Sequence, residues 1–408
     1  MAPPHVLMIG AGMGGLTLAQ ALRKQNIPFQ IFERDDGPLA RGPGYALGLY
    51  DLEALFDNSL PDDLPPFSST CHLLPLDLPS QVIFYFPTGN MAMVEDTPVT
   101  PCIRANRFKL RSLLSTGVDI QWGKKAIRFE ETPDNVTVHF EDGTTATGDI
   151  VVGADGTFSS VRPHFLAQPN DSILQQFPVT VTAGETTLSS PEMQIQLQNG
   201  HSCFIAIQPT FVLFSGLNSV KVNGNETSGQ YYWVLTEYDL AVSDLNHWSK
   251  TVSQAERLAR AKQKVQALKP ELRVTVERTE VADVKSNAWS AWWDAFIEHP
   301  PAVNRVVLIG DAAHPITPIR GEGAIFAIRD AVQLSKVLAG ADNNDFPALQ
   351  ASLDSFQKDV LAKGLESIRE SRDAYAGKFQ RKQHMAWGHD LRPIDAVKPL
   401  PVKLMNDA

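Results

Sequence analysis

Cysteine is scarce in this chain: three in 408 residues, Cys71, Cys102 and Cys203, widely spaced and without a CxxC. An odd, scattered set offers neither a zinc ribbon nor a dithiol redox pair, and it fits reduced thiols inside a cell. Long apolar runs are missing as well. No window reaches the roughly 18 apolar residues of a membrane span, and the richest stretch, CFIAIQPTFVLFSGL, is broken by Gln, Pro and Thr. The N-terminal MAPPHVLMIGAG has no charged leader or cleavage site, so its apolar run belongs to a strand. Positive charge is in deficit: 36 Lys and Arg face 46 Asp and Glu, for a net charge of -10. That balance argues against nucleic acid or an anionic membrane as the main partner. The expectation is a soluble, cytoplasmic protein without a metal centre. Its length suffices for two or three domains around sizeable cores.

What is present begins with a strand–helix–strand unit. HVLMIG is a short apolar run ending in glycine, LTLAQALRKQ carries Leu18, Ala21 and Leu22 at helical spacing, and PFQIFERDD is a second strand. RFKLRSLL, with Phe108, Leu110, Leu113 and Leu114 on one face, predicts a helix. NVTVHFEDGTTATGDIVVG predicts a hairpin around Asp142-Gly143 that runs into an apolar strand. Residues 166–284, rich in Thr, Ser, Gln and β-formers, predict a mainly antiparallel sheet with a helical insert at SQAERLARAKQKVQAL. Beyond Ala331 the pattern is helical to about Gln383.

Three places carry chemistry. In GAGMGG, Gly10, Gly12 and Gly15 form GxGxxG between a strand and a helix. Gly10 allows a tight turn, Gly12 lets a pyrophosphate approach the backbone, and Gly15 permits close helix packing. Glu33 follows 18 residues after Gly15, where a carboxylate accepts bonds from an adenosine ribose and repels a 2′-phosphate. FAD or NAD is therefore favoured over NADP at this site, a distinction that the adjacent Arg34 blurs. In GDIVVGADGTFSSVR, a strand delivers Asp155-Gly156 to a turn, with Ser159 and Arg162 behind it. Alone, this reads as an ordinary Asp-Gly turn with a surface arginine. In VVLIGDAAHPITPIRGEGAIFAIRDA, Asp311 ends a strand, while Gly321 and Gly323 precede a helix beginning near Ala324.

Together the three motifs, in this order, resemble the single-component FAD-dependent aromatic hydroxylases, the group A flavoprotein monooxygenases. The resemblance covers residues 1 to about 335. It implies an α/β fold: a Rossmann-like FAD-binding domain (1–70, 98–165 and 285–335), a discontinuous, mainly antiparallel β substrate domain (71–97 and 166–284), and C-terminal helices with a tail (336–408). By motif match, Glu33 would hold the adenosine ribose and Ala46, in GYALGL, would lie along FAD. An FAD-contacting arginine maps to Arg107, with Arg104 the second candidate. Asp155 would serve FAD and NAD(P)H, and Asp311 the ribityl chain. The helix start at Gly321, Gly323 and Ala324 would face the flavin ring. Arg41 resembles the family's mobile-loop arginine near the pyrophosphate, and equally a solvated surface arginine.

The implied activity is oxygen insertion into an aromatic or polycyclic compound, with NAD(P)H (NADPH favoured) and O2 as co-substrates. Hydroxylation comes first, with epoxidation and Baeyer–Villiger insertion open. The setting would be secondary-metabolite biosynthesis or degradation. No second GxGxxG follows a strand, so a separate nicotinamide domain is absent. His314 reads as part of its turn rather than as a base. Trp289, Trp292 and Trp293 read as core more than pocket, and Phe204, Phe211 and Tyr232 are weaker pocket candidates. No catalytic side chain is singled out. A non-oxygenating FAD oxidase or dehydrogenase on the same fold is the alternative, and a non-catalytic nucleotide-binding scaffold comes third.

Overall fold

The protein is described here by a computed structural model, covering residues 2–40, 44–224, 226–285, 292–375, 391–396 and 403–404. Its N-terminal strand Val6–Ile9 sits inside a five-stranded parallel sheet. In order, that sheet runs Val306–Leu308, Ile150–Gly153, Val6–Ile9, Phe29–Phe32 and Ile120–Gln121. Val6, Leu7 and Met8 are wholly buried, as expected when both sheet faces are covered. Each such side chain contributes roughly 1.5–3 kcal/mol on burial.

The helix Met13–Gln25 follows the first strand and ends at Asn26, whose left-handed φ of 55° returns its N–H to Arg23 and Leu22 carbonyls. It packs against a second helix, Gly323–Ala339. Contact is close: a Cβ on Gly14 would stand 3.2 Å from the Ala327 carbonyl oxygen. The long helix Phe346–Tyr375 completes this layer.

The second large sheet has seven strands, in the order Val179–Ser189, Glu226–Tyr238, Val212–Asn223, Cys203–Ile207, Gln81–Tyr85, Met91–Glu95 and Arg392–Ile394. Its neighbours are antiparallel except for the Cys203–Ile207/Gln81–Tyr85 pair. The helical insert forms as Gln254–Lys264 and a second, unexpected helix, Pro270–Arg278, follows it; Leu258 and Val276 from these helices, with Val265 between them, share one core with Leu213 and Trp233 of the sheet. Ser253 and Glu256 make a reciprocal capping box at the start of the insert. The hairpin Val136–Phe140/Thr145–Gly148 forms as expected, with Gly143 at φ 84° in its turn. The C-terminal segment expected to be tail adds the edge strand Arg392–Ile394 instead. Its Pro393 sits at a sheet edge, where a missing N–H is tolerated.

Between the two sheets runs a two-stranded ribbon, Ala46–Tyr50 with Cys102–Asn106, pairing Ala46 with Asn106 and Gly48 with Arg104. Asn106 then caps the helix Arg107–Leu114, its side-chain oxygen accepting from Lys109 N at 3.1 Å. Its amide nitrogen donates to the Asn218 carbonyl on the large sheet at 3.0 Å. One residue thus ties the helix, the ribbon and the sheet together.

Candidate functional site

Pairing in the parallel sheet aligns Ile9 with Phe32 on one side and with Gly153 on the other, and Gly153 with Leu308. The residues that follow, Gly10, Glu33, Ala154-Asp155 and Ile309 to Asp311, therefore emerge along one edge of the sheet. Motifs separated by 300 positions in the chain become neighbours at the carboxyl ends of parallel strands. The chain leaves the first strand toward Phe29–Phe32 and later returns on its other side, which creates the crevice where open α/β sheets bind ligands.

The first turn is tight for steric reasons. Gly10 has φ 106°, and a Cβ there would lie 2.4 Å from the Ala154 carbonyl oxygen. A Cβ on Gly15 would lie 2.0 Å from the Gly10 carbonyl oxygen. Gly12 differs, because its added Cβ meets only one atom, Ala154 O at 3.9 Å. The protein alone does not require glycine at this position, whereas a ligand lying over the turn would. The helix behind has no side-chain cap, so its first N–H groups are left for an anion. Glu33, 4% exposed, accepts from Ala11 N at 2.8 Å and from Asp35 N at 3.1 Å. Arg111 reaches the same carboxylate at 3.5 Å, donates to the Ala11 carbonyl at 3.0 Å and lies over the Trp122 ring. Beside Arg111 is a cavity of about 510 Å³ lined also by Pro38, Phe108, Ser112, Val118 and Trp122.

The second and third motifs interlock. Asp155 accepts from Ser160 N at 2.6 Å through one oxygen, while its other oxygen is buried without a partner. Arg162 is wholly buried rather than on the surface. It donates to the carbonyls of Asp311 (2.6 Å), Ala312 (2.7 Å) and Thr157 (2.8 Å), and to the Asn170 side chain (2.9 Å). Burial pulls its pKa down to about 10, with Asp155 and Asp311 opposing that shift, so it stays a cation at neutral pH. On the other side of the turn, Asp330 accepts from Gly310 N at 2.8 Å and pairs with His314 Nε2 at 2.7 Å. His314 is thus a buried part of the turn, as its sequence context suggested.

Asp311 is half-buried, and burial raises its carboxyl above the usual range. Thr157 donates to it at 3.4 Å, and a Cβ on Gly323 would lie 3.8 Å from its other oxygen. The acid and the helix start are therefore side by side. Gly321, at φ 68°, makes the turn into that helix, and Glu322 at its N-cap makes no side-chain cap. Ala324 packs on the main core. The open face of Gly12, the uncapped helix starts and the unpaired Asp155 oxygen suit an extended dinucleotide such as FAD.

Comparison with known proteins agrees. Residues 90–365 match the family described as FAD binding domain, and residues 8–47 match an NAD(P)-binding Rossmann-like domain. The FAD-dependent monooxygenase thnD of Trichoderma harzianum is 38% identical, over 98% of this chain and 99% of that protein. The chain belongs to the FAD-dependent monooxygenase family. The FAD-dependent monooxygenase dbaB of Emericella nidulans is 31% identical over 91% of this monooxygenase and 95% of its own length. Among solved structures, a variant of HpxO from Klebsiella pneumoniae complexed with FAD shares the fold. Its TM-score is 0.69 at 20% identity, covering 92% of this chain and 91% of that one. These relatives do not favour the non-oxygenating alternative.

The monooxygenase distributes its other expected residues unevenly. Ala46 is buried in the ribbon, and Arg34 is exposed beside Glu33. Arg107 is half-buried over the Tyr45 ring, while Arg104 is buried and turned toward the large sheet. Arg41 and Trp289 lie outside the described residues. Trp292 packs against the Phe177, Val179 and Val181 cluster, and Trp293 against Phe158. Phe204 and Phe211 belong to the core beneath the helical insert, whereas Tyr232 stays half-buried at the ribbon. Arg111 and Asp330 went unnoticed in the sequence. Arg111 shares a segment with Arg107 and follows it by one helical turn, which is the signal that could have found it.

Among the described residues no helix is long and apolar enough to cross a membrane.

Proposed function

We propose that this monooxygenase uses NADPH and O2 to place one oxygen atom in an aromatic or polycyclic substrate, with hydroxylation as the reaction. The observation that carries this reading is the row of Gly12, Glu33, Asp155 and Asp311 following paired strands along one sheet edge. When bound, FAD supplies the redox chemistry, taking electrons from the nicotinamide and activating oxygen. Glu33 accepts from the adenosine ribose, with the cavity beside Arg111 next to it. The N–H groups after Gly12 receive the pyrophosphate, and Asp311 accepts from the ribityl hydroxyls. The uncapped helix start at Gly323 and Ala324 favours negative charge on the reduced ring by about 1 kcal/mol. NADPH is preferred over NADH on the family resemblance alone.

The domain division in this reading is 1–70, 98–165 and 285–335 for FAD, 71–97 and 166–284 for the substrate, and 336–408 for C-terminal helices and tail, the strand Arg392–Ile394 of the large sheet being the exception. The setting is cytoplasmic secondary metabolism. The test is an aerobic assay with NADPH against NADH and a panel of phenols, naphthols and larger polycyclic phenols. A panel member that raises nicotinamide consumption and yields a product heavier by one oxygen supports the reading. Consumption that gives only hydrogen peroxide with every panel member, or products altered by loss of hydrogen alone, overturns it.

A further inference from the structure

Behind the loop that carries Asp311, the long helix Phe346–Tyr375 runs alongside almost residue for residue. Gln357 accepts from Leu308 N at 2.6 Å, an offset of 49 positions. Gly364 packs on His314, leaving no space for a Cβ, and Glu370 pairs with Arg320 at an offset of 50. Ser367 therefore falls opposite Thr317, and Ser371 lies one turn further along the same buried face.

Four side-chain atoms in this seam have no hydrogen-bond partner among the described residues: His314 Nδ1, Thr317 Oγ1, Ser367 Oγ and Ser371 Oγ. Their residues are at most 2% exposed. Buried polar groups are nearly always paired, and one left bare forfeits the hydrogen bonds that it made in water. Helical serines often return the hydroxyl to the carbonyl four residues back, as Ser352 does to Ala348 on this same helix at 3.0 Å. Ser367 and Ser371 make no such bond, which leaves their hydroxyls for the seam.

His314 joins the seam to the cofactor row. Its Nε2 pairs with Asp330 at 2.7 Å, Asp330 also accepts from Gly310 N, and Asp311 is the next charge on that side. Its other ring nitrogen is the unpartnered one. At the far end, Arg320 is held between Glu322 and the exposed Glu370, at the edge of solvent.

We propose that this seam binds buried water molecules that pass protons between solvent and the His314 ring, with Thr317, Ser367 and Ser371 as positioning residues. The water site stands on the geometry, while its purpose rests on the proposed oxygenation. Placing one oxygen atom in a substrate with a nicotinamide consumes a proton, because the second oxygen leaves as water. The site must nevertheless exclude bulk solvent. A narrow polar file behind the cofactor row meets both needs. Each hop balances. When the protonated ring gives up its Nδ1–H, that bond breaks, a seam water gains an O–H bond and hands on another of its protons. The ring is left neutral, with Nε2–H still donating to Asp330. The reverse hop recharges it from solvent.

The test uses the FAD-loaded enzyme without turnover. A crystal structure should show waters in the seam, each within hydrogen-bond distance of at least two of the four atoms. With isotope-labelled histidine, magnetic resonance reads the exchange of the His314 ring proton with water, assigned by its loss in His314→Gln. Thr317→Val, which swaps a hydroxyl for a methyl of similar size, should slow that exchange at least about tenfold. Ser367→Ala should slow it as well, which keeps the test open if one variant does not fold. Thr317→Ser, which retains the hydroxyl, should exchange at the parent's rate. A dry seam, waters touching none of the four atoms, or unchanged exchange in Thr317→Val and Ser367→Ala would each overturn the proposal. None of these readouts involves oxygen insertion, so a failure to oxygenate counts against the other reading alone.

Discussion

Arg162 donates a 2.6 Å hydrogen bond to the backbone carbonyl of Asp311, joining two motifs that stand 149 residues apart in the chain. Arg162 also takes the next carbonyl, Ala312, so the loop that presents the Asp311 carboxylate is held by a buried cation. Removing it would leave three carbonyls without their donor, each worth about 1–3 kcal/mol when buried. Arg162→Met should therefore lower the unfolding free energy by several kcal/mol. Arg162→Lys keeps the charge but not the fork, and should fold with at least tenfold weaker FAD binding. Chemical denaturation and flavin fluorescence on release check the two outcomes.

The two glycines of the first turn should fail in different ways. Gly10→Ala puts a Cβ 2.4 Å from Ala154 O at φ 106°. It should destabilise the FAD-free protein by at least about 2 kcal/mol. Gly12→Val should leave the FAD-free protein folded, because the space over Gly12 is open, and should still prevent FAD binding. Thermal melts of stripped protein, compared with flavin content as purified, distinguish the cases.

His314 sets a pH dependence. Burial alone would lower its pKa, but the Asp330 carboxylate, with Asp311 also facing it, outweighs burial and raises it above 6.5. A raised histidine pKa adds stability that is fully present below about 6.5 and is lost as pH climbs through the folded value. Urea midpoints measured from about pH 6 to pH 9 should fall for the parent, with a smaller fall for His314→Gln. Parallel curves would show that this pair contributes nothing to the slope.

Gly364 is a separate packing test. A Cβ there would lie 2.3 Å from His314 Cβ, so Gly364→Ala must push His314 or the long helix aside. Overpacking of this kind costs about 1–3 kcal/mol. The expected result is a lower melting temperature with FAD still bound, read by differential scanning calorimetry.

Three strands of the parallel sheet were legible because they are short apolar runs ending in glycine, and the GxGxxG turn because its context is local, whereas the two-residue edge strand Ile120–Gln121 is too short to show a pattern. Arg162 was not. A lone arginine after an Asp-Gly turn looks solvated, and only the pairing of Gly153 with Leu308 shows which carbonyls it meets. Asp330 was hidden for the same reason, since on a helix a buried acid and an exposed one occupy equivalent pattern positions. Phe204 and Tyr232 both read as aromatics on a β-sheet. Which one reaches the ribbon depends on the covering helices, a tertiary fact that strand alternation does not contain. The edge strand Arg392–Ile394 carries a proline and too few residues to stand out from a tail.

One FAD site, built from three distant motifs and open to a nicotinamide, is the central proposal. The most direct test is anaerobic titration of the purified protein with NADPH, following the flavin absorbance. The account predicts stoichiometric FAD, bleached by NADPH and recoloured when air is admitted. Protein that folds but holds no flavin, or that holds FAD which neither NADPH nor NADH reduces, would contradict it.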